Sequence, residues 1–158
     1  MPTDFRRFLL ICSGNICRSP MAEYYLRARL PDEGGWDVAS AGLGALVGHP
    51  ADDKAIAVMA QKGIDLSAHR ARQFDVEAAK EYDLILAMEA GQVRWIAERY
   101  PFLRGRVQPL GHWTGQDVPD PYRQPEAAFI EARERVIAGV DSWLARLLPE
   151  AGQGQTPQ

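Results

Sequence analysis

Apolar positions along the chain fall into two kinds of segment, short uninterrupted runs and longer stretches at helical spacing. Residues 5–11 turn continuously apolar after Arg7, and Asp83–Met88 reads Asp-Leu-Ile-Leu-Ala-Met. Runs of this kind suit strands covered on both faces, as in a parallel sheet. Asp37–Ala41 is a shorter strand candidate and Val107–Leu110 a weak fourth. Between them, Met21, Tyr25 and Ala28 recur on one face that Leu26 and Leu30 widen, up to Pro31. Ser19-Pro20 ahead of them reads as an N-cap followed by the first helical position. A helix is expected over 51–61 with Gly63 as its C-terminal cap, a helical turn over 75–80, and a helix over 90–100 that stops at Pro101. Phe129, Val136, Ile137, Val140, Leu144 and Leu147 mark one face of a long final helix.

Strand then helix, repeated, argues for a single α/β domain with a parallel sheet. The domain is expected over residues 1–149, with 150–158, rich in Gly, Gln and Pro, as a disordered tail. A length of 158 residues suits one domain with a continuous core. The formal net charge of −3 gives no general attraction for nucleic acid or an anionic membrane, so any affinity for an anion must be local. No apolar run is long enough for a signal peptide or a membrane span, and the cytoplasm is the expected location.

Cys12 and Cys17 are the only cysteines, five positions apart. No Cys or His cluster completes a four-ligand zinc site, and a bridge closing so small a loop would stabilise little. The pair is therefore either two inert buried thiols or a reactive site. Its context, "ICSGNICRSP" at residues 11–20, lies where the first strand hands over to the first helix. In open α/β sheets, ligands bind beyond the carboxyl ends of the strands.

In this turn Gly14 permits a left-handed backbone, and successive N–H groups there form an anion-binding nest. The helix N-terminus points at the same place, and Arg18 adds a planar cation that matches two phosphate oxygens. The thiolate is the reactive form of cysteine, and such a field favours it. Cys12 is thus the candidate nucleophile for a covalent phosphoryl intermediate, with Ser19 as a hydrogen-bond donor to its sulfur. A proton donor is found in "DVPDPYRQP", residues 117–125, where Asp120 sits between Pro119 and Pro121 on a stiff loop. Tyr122 offers a flat wall to an aromatic substrate.

C-x5-R-S near the N-terminus with D-P-Y late in the chain resembles the low-molecular-weight protein tyrosine phosphatases, over about residues 7–148. The resemblance implies Cys12 as nucleophile, Arg18 as phosphate clamp and Asp120 as general acid. The candidate substrate-binding residues are Ser13, Gly14, Asn15, Ile16, Cys17 and Ser19 around the phosphate and Tyr122 at the mouth, with Leu43 and Leu46 of the loop at 42–49 as an aliphatic side to that mouth. Asn15 would hold the loop's shape, supported by Ser40 of "SAG" and His69 of "HRARQ". The implied fold is a four-stranded parallel twisted sheet with helices on both faces, and neither cofactor nor metal is implied.

Isoleucine at position 16 resembles the tyrosine-specific members, whereas protein-arginine phosphatases of the family carry threonine there. "SAGLGALVGHPAD", "YDLILAMEAG" and "LGHW" resemble the bacterial branch associated with exopolysaccharide and capsule. That branch implies a phosphotyrosine protein as partner, a bacterial tyrosine autokinase with a tyrosine-rich tail. The charge balance and short apolar runs argue for no nucleic acid and no membrane insertion, and the aromatics suit either a weak dimer face or a substrate shelf on a monomer. A reversible Cys12–Cys17 disulfide under peroxide is a further implication of the resemblance. The alternative reading is an arsenate-reductase-like oxyanion reductase using the same cradle, although cysteines for an internal thiol relay are lacking.

Duller explanations exist for single residues. A lone cysteine is usually inert core, an Asp before Pro is usually a turn residue, and His49 and His112 carry no chemistry in this scheme. The glycines at 42–48 are spaced G-x-G-x-x-x-G, unlike a dinucleotide fingerprint. It is the combination of Cys12, Arg18, Ser19 and Asp120 that points to phosphate.

Overall fold

Alternation along the first strand builds both sides of the core. In β1 (Arg7–Cys12), Phe8, Leu10 and Cys12 belong to one buried cluster, and Leu9 and Ile11 to the other. Full burial of a large apolar side chain contributes about 1.5–3 kcal/mol, so this strand anchors the domain. The computed structural model describes residues 5–148, and residue 149 and the tail expected over 150–158 lie outside them.

β1 lies between β2 (Asp37–Gly42) and β3 (Leu84–Ala87), with β4 (Val107–Pro109) beyond β3. All three pairings are parallel, with Cys12 opposite Gly42 and Ile11 opposite Ala87. One face is covered by α1 (Arg18–Arg29), α2 (Asp53–Ala60) and α5 (Glu126–Leu147), through Met21, Leu26, Val58, Met59, Phe129 and Val140. The other is covered by α3 (Val76–Ala79), α4 (Ala90–Arg99) and a 3-10 turn at Pro101–Leu103, through Ala79, Ile96 and Leu103. The expected four-stranded parallel sheet with helices on both faces is therefore present.

Two local expectations are corrected. Ser19 is not the N-cap of α1, because the helix begins at Arg18 with Cys17 in the capping position and no side chain capping it. The Ser19 hydroxyl is instead turned back towards Cys12 Sγ and Asn15 Nδ2, at 2.9 and 2.8 Å. Nor is Gly14 left-handed; the positive φ of this loop, 60°, falls on Asn15.

All four strands run the same way, so their carboxyl ends share one edge of the sheet. Cys12, Gly42, Ala87 and Pro109 end there, and the loops that follow them converge. The loop after β4 is tied back when the Val118 N–H donates to the Met88 carbonyl at 3.0 Å. This carries the segment around Asp120 towards the turn that follows β1.

Candidate active site

The loop from Cys12 to Arg18 is shaped by where its carbonyls go. Those of Cys12, Ser13 and Gly14 accept from the N–H groups of Leu43, Gly44 and Leu46, at 3.0, 2.9 and 3.1 Å. The Asn15 carbonyl meets His69 Nε2 at 2.7 Å. Those of Ile16 and Cys17 accept from Asp52 and Met21 N–H, at 2.8 and 3.3 Å. All six carbonyls are thus engaged by the surrounding scaffold. A planar peptide points its N–H opposite to its carbonyl, so the amides of this loop face inward and form a nest. One of them, Asn15 N–H, donates to Cys12 Sγ at 3.3 Å.

Asn15 is fully buried, and its side chain offsets the cost of a left-handed backbone. The Arg72 N–H donates to Asn15 Oδ1 at 2.8 Å, which fixes the amide's orientation. Nδ2 then donates to Ser19 Oγ at 2.8 Å and to Ser40 Oγ at 2.9 Å. Because Ser19 Oγ accepts there, its own proton is free for Cys12 Sγ, 2.9 Å away. Ser40 in turn donates to Glu23 Oε1 at 2.6 Å, and Glu23 also pairs with Arg27. Donors therefore run outward from the Asn15 amide in two directions, through Ser40 to the buried Glu23 carboxylate and through Ser19 to the sulfur.

His69 is buried, which lowers its pKa, while its bond to the Asn15 carbonyl opposes that shift. That bond requires a proton on Nε2, so in the neutral ring Nδ1 is the bare nitrogen, 4.0 Å from Glu23 Oε1. Cys17 differs from Cys12 in its surroundings. Burial, reinforced by Asp52, pushes the Cys17 thiol strongly up, which keeps it protonated.

The Arg18 guanidinium is almost wholly buried, at 1% exposure. Nη1 is held by Glu89 Oε2 at 2.5 Å and by the Val118 carbonyl at 2.9 Å. Nη2 lies 3.7 Å from Asp120 Oδ2, and Nε has no hydrogen-bond partner among the described residues. An unpartnered, buried N–H on a charged group is costly, and here it marks a site for an anion. The Asp120 carboxylate has one oxygen fixed, since Oδ1 accepts from Tyr122 N–H at 3.1 Å. Oδ2 is the oxygen left to face the cleft.

The cleft itself measures about 220 Å³, with Cys12, Ser13, Gly14, Ile16, Cys17 and Arg18 as its floor and Gly44, Leu46, Asp120 and Tyr122 as its rim. Asn15 and Ser19 support the floor from behind and do not line it. Leu43 is displaced from its expected place at the mouth. It packs against the second core cluster, and it is Leu46, exposed on the rim, that lines the cleft. The reason lies in the chain's pairing: the N–H groups of Leu43, Gly44 and Leu46 all bond the floor loop, which sends the Leu43 side chain to the sheet's far side.

Glu23, Glu89 and Arg72 belong to the site and were not singled out from sequence. Glu23 follows Ser19 by four residues, a spacing that puts both on one helical face. Glu89 is the second residue beyond β3, at the end of the sheet where ligands bind. Arg72 contributes a main-chain N–H, for which residue type gives no signal.

A buried guanidinium, a nest of amides and a sulfur on one loop of a parallel α/β sheet define a site for a tetrahedral oxyanion. The chain belongs to the low molecular weight phosphotyrosine protein phosphatase family, whose model matches residues 7–153, and it is a protein-tyrosine phosphatase. Among its relatives, the probable low molecular weight protein-tyrosine-phosphatase EpsP of Ralstonia nicotianae is 47% identical over 142 residues, covering 90% of this chain and 96% of that protein. The tyrosine phosphatase Wzb of Escherichia coli K30, solved with sulphate, superposes with a TM-score of 0.85 at 40% identity, over 90% of this chain and 99% of Wzb. Wzb of Vibrio vulnificus, solved with benzylphosphonate, also gives 0.85, at 38% identity, over 90% and 99% of the two chains.

Proposed function

We propose that the enzyme hydrolyses phosphotyrosine through a cysteinyl-phosphate intermediate, with Cys12 as nucleophile, Arg18 as phosphate clamp and Asp120 as general acid and base. The observation that carries this reading is Arg18: its Nη1 is anchored while Nε is unpartnered beside the inward-facing amides. The non-bridging phosphate oxygens take the loop amides and the Nε and Nη2 edge of Arg18. Charge-assisted, two-point contacts of this kind suit a dianion. Inward amides and a fixed guanidinium are already oriented when charge shifts in the transition state, so little reorganisation is required.

In the first step Cys12 Sγ attacks phosphorus, the S–P bond forms and the bond to the tyrosyl oxygen breaks. Asp120 Oδ2–H delivers its proton to that oxygen, so tyrosine leaves neutral. In the second step Asp120 takes a proton from water, the resulting hydroxide oxygen bonds to phosphorus, and the S–P bond breaks to release inorganic phosphate. Ser19 donates to the sulfur throughout, which stabilises it both as nucleophile and as leaving group. The sulphate held by the Escherichia coli Wzb structure and the benzylphosphonate held by that from Vibrio support a tetrahedral anion in the cradle and an aromatic group at the rim.

As substrate we propose the tyrosine-rich tail of a membrane-associated bacterial tyrosine kinase that controls exopolysaccharide production. The likeness to the EpsP and Wzb phosphatases supports this choice. A rim with exposed Leu46, followed by exposed Val47, also accommodates a flexible chain. Among the described residues no helix is long and apolar enough to cross a membrane. Rates on kinase-tail phosphopeptides should exceed those on unrelated phosphotyrosine peptides, and equal rates would refute this assignment. Mechanism is tested separately by trapping: wild type quenched in acid with aryl phosphate carries phosphate on Cys12, and a label elsewhere would refute the covalent step.

A further inference from the structure

Among the described residues, only two non-glycine residues have a left-handed backbone, Asn15 (φ 60°) and Arg123 (φ 64°). Asn15 is explained by its hydrogen bonds. Arg123 is not: it is exposed, it forms no ion pair among the described residues, and its guanidinium carbon stands 5.2 Å from the ring centre of Tyr122. It is the third residue of a four-residue turn closed by Gln124 N–H donating to the Pro121 carbonyl at 2.8 Å. Glycine or asparagine would make that turn at lower cost, since a long side chain opposes this backbone. Uncompensated strain next to an active site points to a use for the side chain.

The setting supplies that use. Tyr122, on whose ring Arg123 rests, lines the cleft beside Asp120. Lys54 Nζ donates to the carbonyl of Gln124, the next residue, at 3.0 Å, so a second cation edges the same rim. The part of the rim formed by Gly44 and Leu46 is uncharged, and Val47 next to it is exposed. An extended peptide advances about 3.3 Å per residue, so a cation just past the wall of the tyrosine slot lies within reach of the next one or two side chains.

We propose that Arg123, seconded by Lys54, is a specificity-determining residue that reads an acidic side chain within two positions of the phosphotyrosine. This rests on the phosphotyrosine reading above. The Gly44 and Leu46 part of the rim carries no charge to compete, so an acidic neighbour is drawn to one side and the peptide is oriented in the cleft. The guanidinium already stands over the Tyr122 ring before substrate arrives, which limits the ordering needed on binding.

The test compares kcat/KM on three phosphotyrosine peptides of equal length, flanked by Asp, Ala or Lys, with p-nitrophenyl phosphate measured alongside. Wild type should favour the Asp peptide over the Ala peptide by about three- to fivefold, the span of an exposed ion pair, and the Lys peptide should be worst. Arg123→Asn keeps a residue tolerant of the left-handed turn, so its melting temperature should not fall while the Asp:Ala ratio drops to about one. Arg123→Glu should invert the order, and high salt should flatten it in wild type. An Asp:Ala ratio in Arg123→Asn equal to that of wild type overturns the proposal. So does a marked loss of melting temperature in that variant, which would make Arg123 a structural residue. If wild type turns over p-nitrophenyl phosphate and all three peptides at equal efficiency, the inference alone fails. If it turns over none of the peptides, the phosphotyrosine reading fails and takes this one with it.

Discussion

Replacing Gly42 by alanine should damage catalysis from outside the cleft. A Cβ at this position would lie 2.5 Å from the Ser13 carbonyl oxygen, with Asn15 N at 3.0 Å and Asn15 Cβ at 3.1 Å. A carbon seldom approaches a carbonyl oxygen closer than about 3.3 Å, so roughly 0.8 Å must be found. β2 cannot easily supply it, because Gly42 N–H donates to the Arg72 carbonyl at 3.0 Å and its own carbonyl accepts from Phe74 at 2.8 Å. The floor loop must therefore yield. Moving the Ser13 carbonyl moves the Gly14 N–H on the same peptide plane, one of the inward donors. A misplacement approaching 1 Å costs about 100-fold in rate, or roughly 2.7 kcal/mol of transition-state stabilisation. Overpacking adds about 1–3 kcal/mol of lost stability, at about 2–4 °C of melting temperature for each kcal/mol in a chain of this size. The assay is kcat/KM on p-nitrophenyl phosphate with inhibition by inorganic phosphate, and circular dichroism to verify the fold. Gly91→Ala, where the new Cβ meets only the end of the Arg94 side chain at 3.7 Å, serves as control. Turnover and phosphate inhibition in Gly42→Ala within threefold of wild type would refute the idea that β2 props the cradle.

Other outcomes follow from the same geometry. Cys12→Ser should show no turnover of aryl phosphates, and Asp120→Asn should lose about 10²–10⁴-fold, with poorer leaving groups suffering more; a loss independent of leaving group would argue against proton donation. Iodoacetamide near neutral pH should alkylate Cys12 and spare Cys17, whose thiol burial holds protonated, and peptide mass spectrometry reads the difference. The depressed pKa of His69 means the unfolded chain binds its proton more readily than the folded one. This contribution to stability is therefore complete above the unfolded value of about 6.5 and is lost as pH falls below it. Thermal midpoints followed from pH 7.5 down to pH 5 should decline, and His69→Asn should flatten that decline; an unchanged slope would remove His69 as its source.

The sheet and the cleft floor were legible because their signals are local. The run after Arg7 leaves no polar residue to face solvent, and "CSGNICRS" puts thiol, cation and hydroxyl on one turn. The misreadings were cases where tertiary partners overrode a local preference. Gly14 had the flexibility for a left-handed turn, but Asn15 adopts it because Ser19, Ser40 and Arg72 are there to hold its amide. Ser19 is a sound helix cap by residue type, yet a nearby sulfur and amide claim its hydroxyl. Leu43 and Leu46 are alike in composition, and only the pairing of residues 43–46 with the floor loop decides which faces the cleft. Glu23 was hidden because a buried carboxylate depends on partners distant in sequence, here Ser40.

The engagement of the floor loop's six carbonyls has a consequence for how the protein matures. Their partners come from residues 43–46, from Asp52, from His69 and from the start of α1. Asn15 Oδ1 waits for Arg72, 57 positions away. Chain closure over such separations is slow relative to forming a helix or a local turn. The loop can exist as sequence early in synthesis, but its donors cannot converge until the chain through residue 72 has docked. The chain should therefore gain phosphate affinity late and abruptly during refolding. In hydrogen exchange, the amides of Leu43, Gly44 and Leu46 should open together with the loop they hold.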